Sequence, residues 1–587
     1  MSLIFLFLFY YFSSETTLLG DGTLRQNQIG KGEIWLPAEL LDFLVHALLY
    51  QYVFSPLALS AVACYRAVSI VSGLFFIDGL RRLAFYLDGE KGLFYFLIFI
   101  SSGTTVLFFG YVESYAIAAA IMPYALLTAL KVIDRKKGIV GFLVLFVLLA
   151  LVHVVPAFIL SLGAVLLMFL FNRENNTINK RSSVYPAVMI SLAIVTGYIL
   201  SFSGVEIFKK SLLPLVPAVN DGQGLLTLNH FLNIFNWLYL AASALLFLIY
   251  PLLKIKSTLE DTGRLKIFIF GWIGLSALVF MFFYTPQLGG PRDWDIFSLP
   301  AFFALSAVVV IYAERCKKTV SVFIWPVIVM AFVTTFSFAI INSSPVKSAD
   351  RFREIAEITR FKPIFSNLAH LLNYYNKQPE LKDRRFDLAR EVLKAAPNNV
   401  DSSYILGKIS QMYYDERQYD QALNYAFYSL KADSMNLNMH LLMVKYSIDF
   451  GTLENKKMVA DLLVRHFPQK AEAVMNAAIL YSAGDDKEMT ERLFQQALSL
   501  DSANMKIVMN YATFKSKNND LVQCLSLLEH ALTLEPDNFL INYNKCVALI
   551  QLGRVEEASH IYLKLQKLAK EESEKELLRK LSQEQGF

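Results

Sequence analysis

Charge is scarce in this chain: Asp, Glu, Lys and Arg make up 18% of its 587 residues, whereas 55% are hydrophobic. With a mean hydropathy of +0.42, the composition excludes an ordinary soluble protein and requires lipid to solvate part of the chain. Cysteine is scarce too. The four present, Cys64, Cys316, Cys524 and Cys546, have no metal-ligand spacing, which excludes a disulfide framework or a zinc site. No glycine-rich nucleotide loop occurs, so a soluble nucleotide donor bound in the cytoplasm is excluded. The net charge is only +5, and its basic excess sits in short loops between apolar runs. That distribution orients a membrane protein and gives no reason to expect nucleic acid. Residues 1–19 are apolar but lack a basic n-region and a small-residue cleavage site. They read as a first membrane span rather than a removed signal, unless the start lies inside a longer reading frame.

What is abundant is apolar and aromatic, with 47 Phe and 29 Tyr. Runs at 2–18, 54–79, 92–110, 115–132, 138–152, 156–172, 184–204, 231–253, 265–284, 297–313 and 319–342 predict about eleven membrane spans. Five alternate connections are basic. They carry Arg81 and Arg82; Arg135, Lys136 and Lys137; Arg173, Lys180 and Arg181; Lys254, Lys256, Arg264 and Lys266; and Arg315, Lys317 and Lys318. The positive-inside rule makes these loops and the N-terminus cytoplasmic. Loops 19–53, 110–114, 153–155, 205–230 and 285–296, and everything after 342, then lie outside. The expected location is the inner (plasma) membrane, with a periplasmic or otherwise extracytoplasmic C-terminus.

From about Arg351 the chain turns polar with helical periodicity. Ser434, Pro468, Ser502 and Pro536 recur 34 residues apart in LKADS, RHFP, LSLDS and LTLEP, the helix-breaking position that closes a tetratricopeptide repeat. Small Ala422, Ala497, Ala531 and Ala558 and bulky Phe494, Leu528 and Tyr562 fall at matching places. Pro397 closes an earlier, irregular repeat, and the repeat ending at Pro468 is weak. The expected fold class is all-α: a polytopic transmembrane bundle over 1–342, a linker over 343–364, and an α-solenoid of about five repeats over 365–587. Such a solenoid binds peptides or partner proteins, or else forms a cap or a dimerisation surface.

Ionisable residues at membrane boundaries are costly and point to function. Four strings carry them, all on the expected outer face. In GDG, Asp21 stands between glycines that let the backbone approach a ligand, with Arg25 close behind; it is a candidate base or metal ligand, or a solvated turn residue. In FFGYVESYA, Glu113 occupies a very short turn. In LVHVVPA, His153 interrupts an apolar hairpin, as a ligand or as packing. In GGPRDWDIFSLP, Arg292, Asp293 and Asp295 precede a span. One aspartate can serve as an N-cap, which leaves the other carboxylate and the arginine for a lipid-linked phosphate, an acceptor hydroxyl or a divalent ion.

At LLGDGTLRQNQIGKGE, GYVESY and RDWD the sequence resembles the C-type superfamily of membrane glycosyltransferases. The domain order is similar to that of O-mannosyltransferases carrying lumenal tetratricopeptide repeats. The resemblance implies transfer of a sugar from a polyprenyl-phosphate-linked donor on the extracytoplasmic side. Asp21, Glu113, Asp293 and Asp295 would be catalytic, and Arg292, His153 and Arg25 would bind substrate. The repeats would engage an acceptor protein or glycan, and a divalent ion stays open. Many members carry an acidic pair in the first loop where this chain has Asp21 alone between glycines. Two alternatives stand beside it: a polymerase or ligase of lipid-linked oligosaccharide, and a membrane-anchored, non-enzymatic repeat scaffold.

Overall fold

The computed structural model describes residues 2–36, 39–135, 138–174, 224–254, 259–285, 292–316, 324–358 and 364–585. Among them every regular element is helical, and the chain divides into two compact units, Met1–Arg385 and Phe386–Phe587.

The first unit is built from α1 (Ser2–Tyr11), α2 (Gly22–Gly30), α3 (Leu40–Leu49), α4 (Ala61–Leu87), α5 (Gly92–Ile100), α6 (Ala116–Arg135), α7 (Ile139–Val152), α8 (Val154–Glu174), α9 (Leu228–Lys254), α10 (Asp261–Phe283), α11 (Trp294–Arg315), α12 (Ile324–Asn342), α13 (Pro345–Ile358) and α14 (Ile364–Tyr375). Seven helices among the described residues are long and apolar enough to cross a membrane, at 40–57, 61–87, 116–134, 228–249, 261–283, 294–315 and 325–342. The centre is α11, buried on nearly all sides and packed against α9 and α10.

Among the described residues, the expected spans that are not found fail for physical reasons. The 2–18 run is helical for only 10 residues, about 15 Å at helical rise and half a hydrocarbon core. The 92–110 run breaks after Ile100 into a tight 3₁₀ turn, Gly103–Phe108. The runs at 138–152 and 156–172 form separate helices that meet at the expected turn, where His153 is extended (φ −158°, ψ 130°), but their described apolar stretches, Ile139–Val152 and Val154–Met168, are shorter than a full span. A span missed by hydropathy lies inside the expected loop 19–53. There α3 runs on through a π-turn, Tyr50–Phe54, and a 3₁₀ turn, Ser55–Leu57, its apolar pattern broken by Asp42, His46 and Gln51. Arg81 and Arg82 are not in a loop but in the last turns of α4, both paired with Asp78. The expected span 184–204 and most of the loop after it lie outside the described residues. So do Lys136, Lys137, Lys180, Arg181, Lys256, Lys317 and Lys318.

The second unit begins at Phe386, in the first turn of α15 (Arg385–Lys394), later in the chain than the expected start at 365. The segment expected to be a linker is helix α13, and it belongs to the first unit. Five helix pairs follow: α16 (Asn399–Asp415) with α17 (Tyr419–Ala432), α18 (Leu437–Phe450) with α19 (Leu453–His466), α20 (Ala471–Ala483) with α21 (Lys487–Leu500), α22 (Met505–Lys517) with α23 (Leu521–Leu534), and α24 (Phe539–Gln551) with α25 (Val555–Leu568). Helix α26 (Glu572–Gln585) closes the array. The first helices of successive pairs start at 437, 471, 505 and 539, the 34-residue period made structural. Asn398, Asn436, Thr452, Asp486, Asn504, Asp520 and Asn538 cap their helices through side-chain oxygens. Ala422, Ala497, Ala531 and Ala558 are fully buried, where their small size lets paired helices approach. Left-handed residues turn four of the pairs: Arg417, Asp485, Asn519 and Gly553. In the pair ending at Pro468 the corresponding residue is Gly451 at φ −78°. The sequence weakness of that repeat thus coincides with a differently built turn.

This unit has its own cores, the largest centred on Phe494, Ala477 and Leu480. Residues 386–587 expressed alone should be soluble, helical and cooperative in thermal melting. Phe494→Ala, at a site 1% exposed, should lower the stability of that fragment by about 3–5 kcal/mol. A fragment that is unfolded before mutation would refute its autonomy.

Candidate functional site

The site is organised around the backbone of Gly20, which is held left-handed (φ +64°) and whose N–H donates to the Arg292 carbonyl at 3.1 Å. A Cβ on this residue would lie 2.4 Å from Asp295 Oδ2 and 2.4 Å from Glu113 Oε1. The two carboxyl oxygens are therefore no further apart than twice that distance. Three strings far apart in sequence, GDG, VES and RDWD, meet at one glycine. The second glycine serves the same closeness: a Cβ on Gly22 would stand 2.5 Å from the Val112 carbonyl oxygen.

Glu113, in the turn between the Gly103–Phe108 segment and α6, is 2% exposed, and neither of its carboxyl oxygens has a hydrogen-bond partner. Burial pushes its carboxyl well above the ordinary range, and the charges of Asp295 and Asp21 push the same way against Arg25. Asp295 accepts the Tyr111 hydroxyl at 3.1 Å and its neighbour's Ile296 N–H at 2.9 Å. Asp293 sits at the N-cap position of α11, but its side chain makes no capping hydrogen bond, so the cap reading does not account for it.

Asp21 differs from these carboxylates in access. It precedes α2 without capping it, its side chain is 42% exposed, and it stands 3.9 Å from Arg25. Arg25 is buried and bonded to Glu39 at 2.8 Å. Burial works against its charge, yet Glu39, Glu113 and Asp21 together raise its pKa above the usual value. Burial also raises the Glu39 carboxyl, with Arg25 opposing. His153 lies at the edge of the cluster, with its ring centroid 5.1 Å from that of Tyr115. Its Nδ1 accepts the Val155 N–H at 3.2 Å, which caps the start of α8 and favours the packing role.

Sequence reasoning missed Glu39, Tyr111 and a buried pair on α3, Asp42 and His46, whose facing atoms are 3.0 Å apart. The His46 ring is stacked on Tyr65 at 4.0 Å between centroids. A carboxylate and a histidine four residues apart in an apolar segment were the available signal. Among the described residues no group of three or more His, Cys, Asp and Glu has an arrangement that could hold a metal ion, and no step below is routed through one.

No protein-family model matches the chain, and no curated protein matches it in sequence. Solved structures do match. The crystal structure of MamA is 17% identical over 28% of this chain and 91% of its own, with a TM-score of 0.26. YrrB, described as a tetratricopeptide-repeat protein with an unusual peptide-binding site, is 12% identical over 31% and 92% with a TM-score of 0.26. A tetratricopeptide-repeat protein from Parabacteroides merdae is 13% identical over 41% and 87% with a TM-score of 0.30. The chain is an all-helical protein with membrane-spanning candidates and a unit of tetratricopeptide-repeat type.

Proposed function

We propose that the first unit is a membrane glycosyltransferase that moves a sugar from a polyprenyl-phosphate donor to an acceptor hydroxyl, and that the repeat unit binds the acceptor or a partner protein. The observation that supports this reading is the convergence of Asp21, Glu113 and Asp295 at Gly20, with Arg25 and Arg292 beside them. In the proposed inverting step the acceptor oxygen attacks the anomeric carbon and passes its proton to the accessible Asp21 carboxylate. The bond from the anomeric carbon to the phosphate oxygen breaks, and polyprenyl phosphate leaves as an anion that needs no added proton. Glu113, whose burial favours the protonated form, can donate a hydrogen bond to a sugar or phosphate oxygen. In this proposal the cluster and the C-terminus face the extracytoplasmic side, so alkaline phosphatase fused after Phe587 should be active.

The test is incubation of the purified full-length protein with a panel of short-chain polyprenyl-phosphate hexoses and candidate acceptors, with mass spectrometry of released polyprenyl phosphate. Release that depends on Asp21 is the expected result; no turnover of any donor by the folded protein would sink the reading. A membrane-anchored scaffold is the second reading, favoured by the repeat unit alone. It leaves the convergence at Gly20 without a purpose.

A further inference from the structure

Beside the carboxylates lies a group of buried donors with nothing to donate to. Arg351, on α13, gives Nη2 to Asn342 Oδ1 at 2.6 Å, while its Nε and Nη1 are buried without a partner. Arg292 is 8% exposed; it gives Nη1 to Asn367 Oδ1 at 3.3 Å, and its Nε is unpartnered. Asn342 Nδ2 is buried and unpartnered as well, and the buried Trp294 indole N–H faces the Tyr111 side chain. Aromatic contacts tie these groups together. Arg351 lies over Phe338 at 4.4 Å, Phe338 packs on Trp294 at 4.8 Å, and Arg292 lies 5.3 Å from the ring of Phe352, the neighbour of Arg351 in the chain.

The chemistry of this group is one-sided. Every orphaned atom named is an N–H donor, and both guanidiniums bond directly only to neutral amide oxygens. Asp293, Asp21 and Asp295 lie within electrostatic range of Arg292, and Tyr111 within range of both arginines. Burial, opposed only by Tyr111, depresses the Arg351 guanidinium to about 10. Buried cations and donors left in this state are costly. An oxyanion with several acceptor oxygens relieves that cost, because guanidinium forks match phosphate geometry.

We propose that Arg351 and Arg292, with Asn342 and the Trp294 indole, form a phosphate-binding site adjoining the carboxylate cluster. Its ligand class is a phosphate monoester or diester, and its assignment to the leaving phosphate of the lipid-linked donor rests on the transferase reading. Arg351 is then a substrate residue in a segment that reads in the sequence as a linker.

The experiment is thermal melting of the detergent-solubilised full-length protein with inorganic phosphate, inorganic diphosphate, farnesyl phosphate or, as the neutral control, farnesol. At least one phosphate should raise the melting temperature, and farnesol should not. Arg351→Gln should weaken phosphate binding on the order of tenfold to a hundredfold, and the ligand-free variant should melt no lower than wild type, since an unneutralised buried charge has been removed. Asn342→Asp supplies an internal counter-ion and should likewise reduce phosphate binding while raising ligand-free stability. The proposal is overturned if no phosphate shifts the wild type, if both variants keep the wild-type shift, or if Arg351→Gln loses stability without ligand, which marks a structural role. Arg351-dependent binding of inorganic anions but not farnesyl phosphate upholds the anion site and counts against a lipid-linked donor. Arg351-dependent farnesyl phosphate binding without sugar transfer upholds the site and removes the transferase reading.

Discussion

Gly20→Ala should abolish transfer and lower the stability of the full-length protein. The added methyl group would sit 2.4 Å from both Asp295 Oδ2 and Glu113 Oε1, closer than any unstrained contact. Neither oxygen belongs to a freely swinging side chain: Glu113 and Asp295 are both 2% exposed, and Asp295 is tied to Tyr111 and Ile296. Overpacking of this kind costs about 1–3 kcal/mol, and a non-glycine residue in left-handed backbone adds roughly 1–2 kcal/mol. The control is Gly30→Ala, at the end of α2 where an added Cβ meets nothing within 4 Å. It should melt at or slightly above the wild-type temperature and keep full activity. Equal melting and equal activity of the two variants would show that the glycine does not hold the carboxylates together.

Asp21→Asn should lower the transfer rate on the order of a hundredfold to ten-thousandfold, the usual cost of losing a general base, with melting temperature and membrane insertion unchanged. The substitution keeps the shape of a half-exposed side chain that makes no capping bond, so folding has little to lose. Glu113→Gln makes the contrast. Burial favours the neutral form of that carboxyl, and a neutral amide of the same shape should preserve stability and retain more activity than Asp21→Asn. A wild-type rate in Asp21→Asn combined with an inactive Glu113→Gln would move the base to Glu113. Wild-type rates in both would remove the cluster from the chemistry.

The parts of this molecule that were legible in the sequence are those with a local signature. The repeats announced themselves because each closes with a helix breaker, at Ser434, Pro468, Ser502 and Pro536, and because Ala422 and Ala558 at one register position and Ala497 and Ala531 at another are small where the helices pack. Asp21, Glu113, Asp293 and Asp295 stood out because carboxylates at the margins of apolar runs need a reason to be there. Hydropathy failed where length and continuity decide. It read the runs at 2–18 and 92–110 as spans although the helices within them are too short. It read 19–53 as a loop because Asp42 and His46 lower the local average, although the two side chains face each other at 3.0 Å, buried inside the bundle. Arg351 gave no signal at all, since an arginine in a polar helical segment is ordinary until its guanidinium is found under Phe338.

The meeting of distant strings at Gly20 also governs when the protein can become active during its own synthesis. Gly20, Asp21 and Glu113 leave the ribosome early and enter the membrane with the first helices, and domains form progressively from the N-terminus. Arg292 and Asp295 arrive only with α11, and Arg351 later still, on α13. A nascent or truncated chain ending before α11 holds Asp21, Arg25 and the Glu113 turn but has neither Asp295 nor the Arg292 and Arg351 guanidiniums. In the proposed transferase such a chain lacks half of the carboxylate cluster and both phosphate-facing arginines, and it should carry out no transfer.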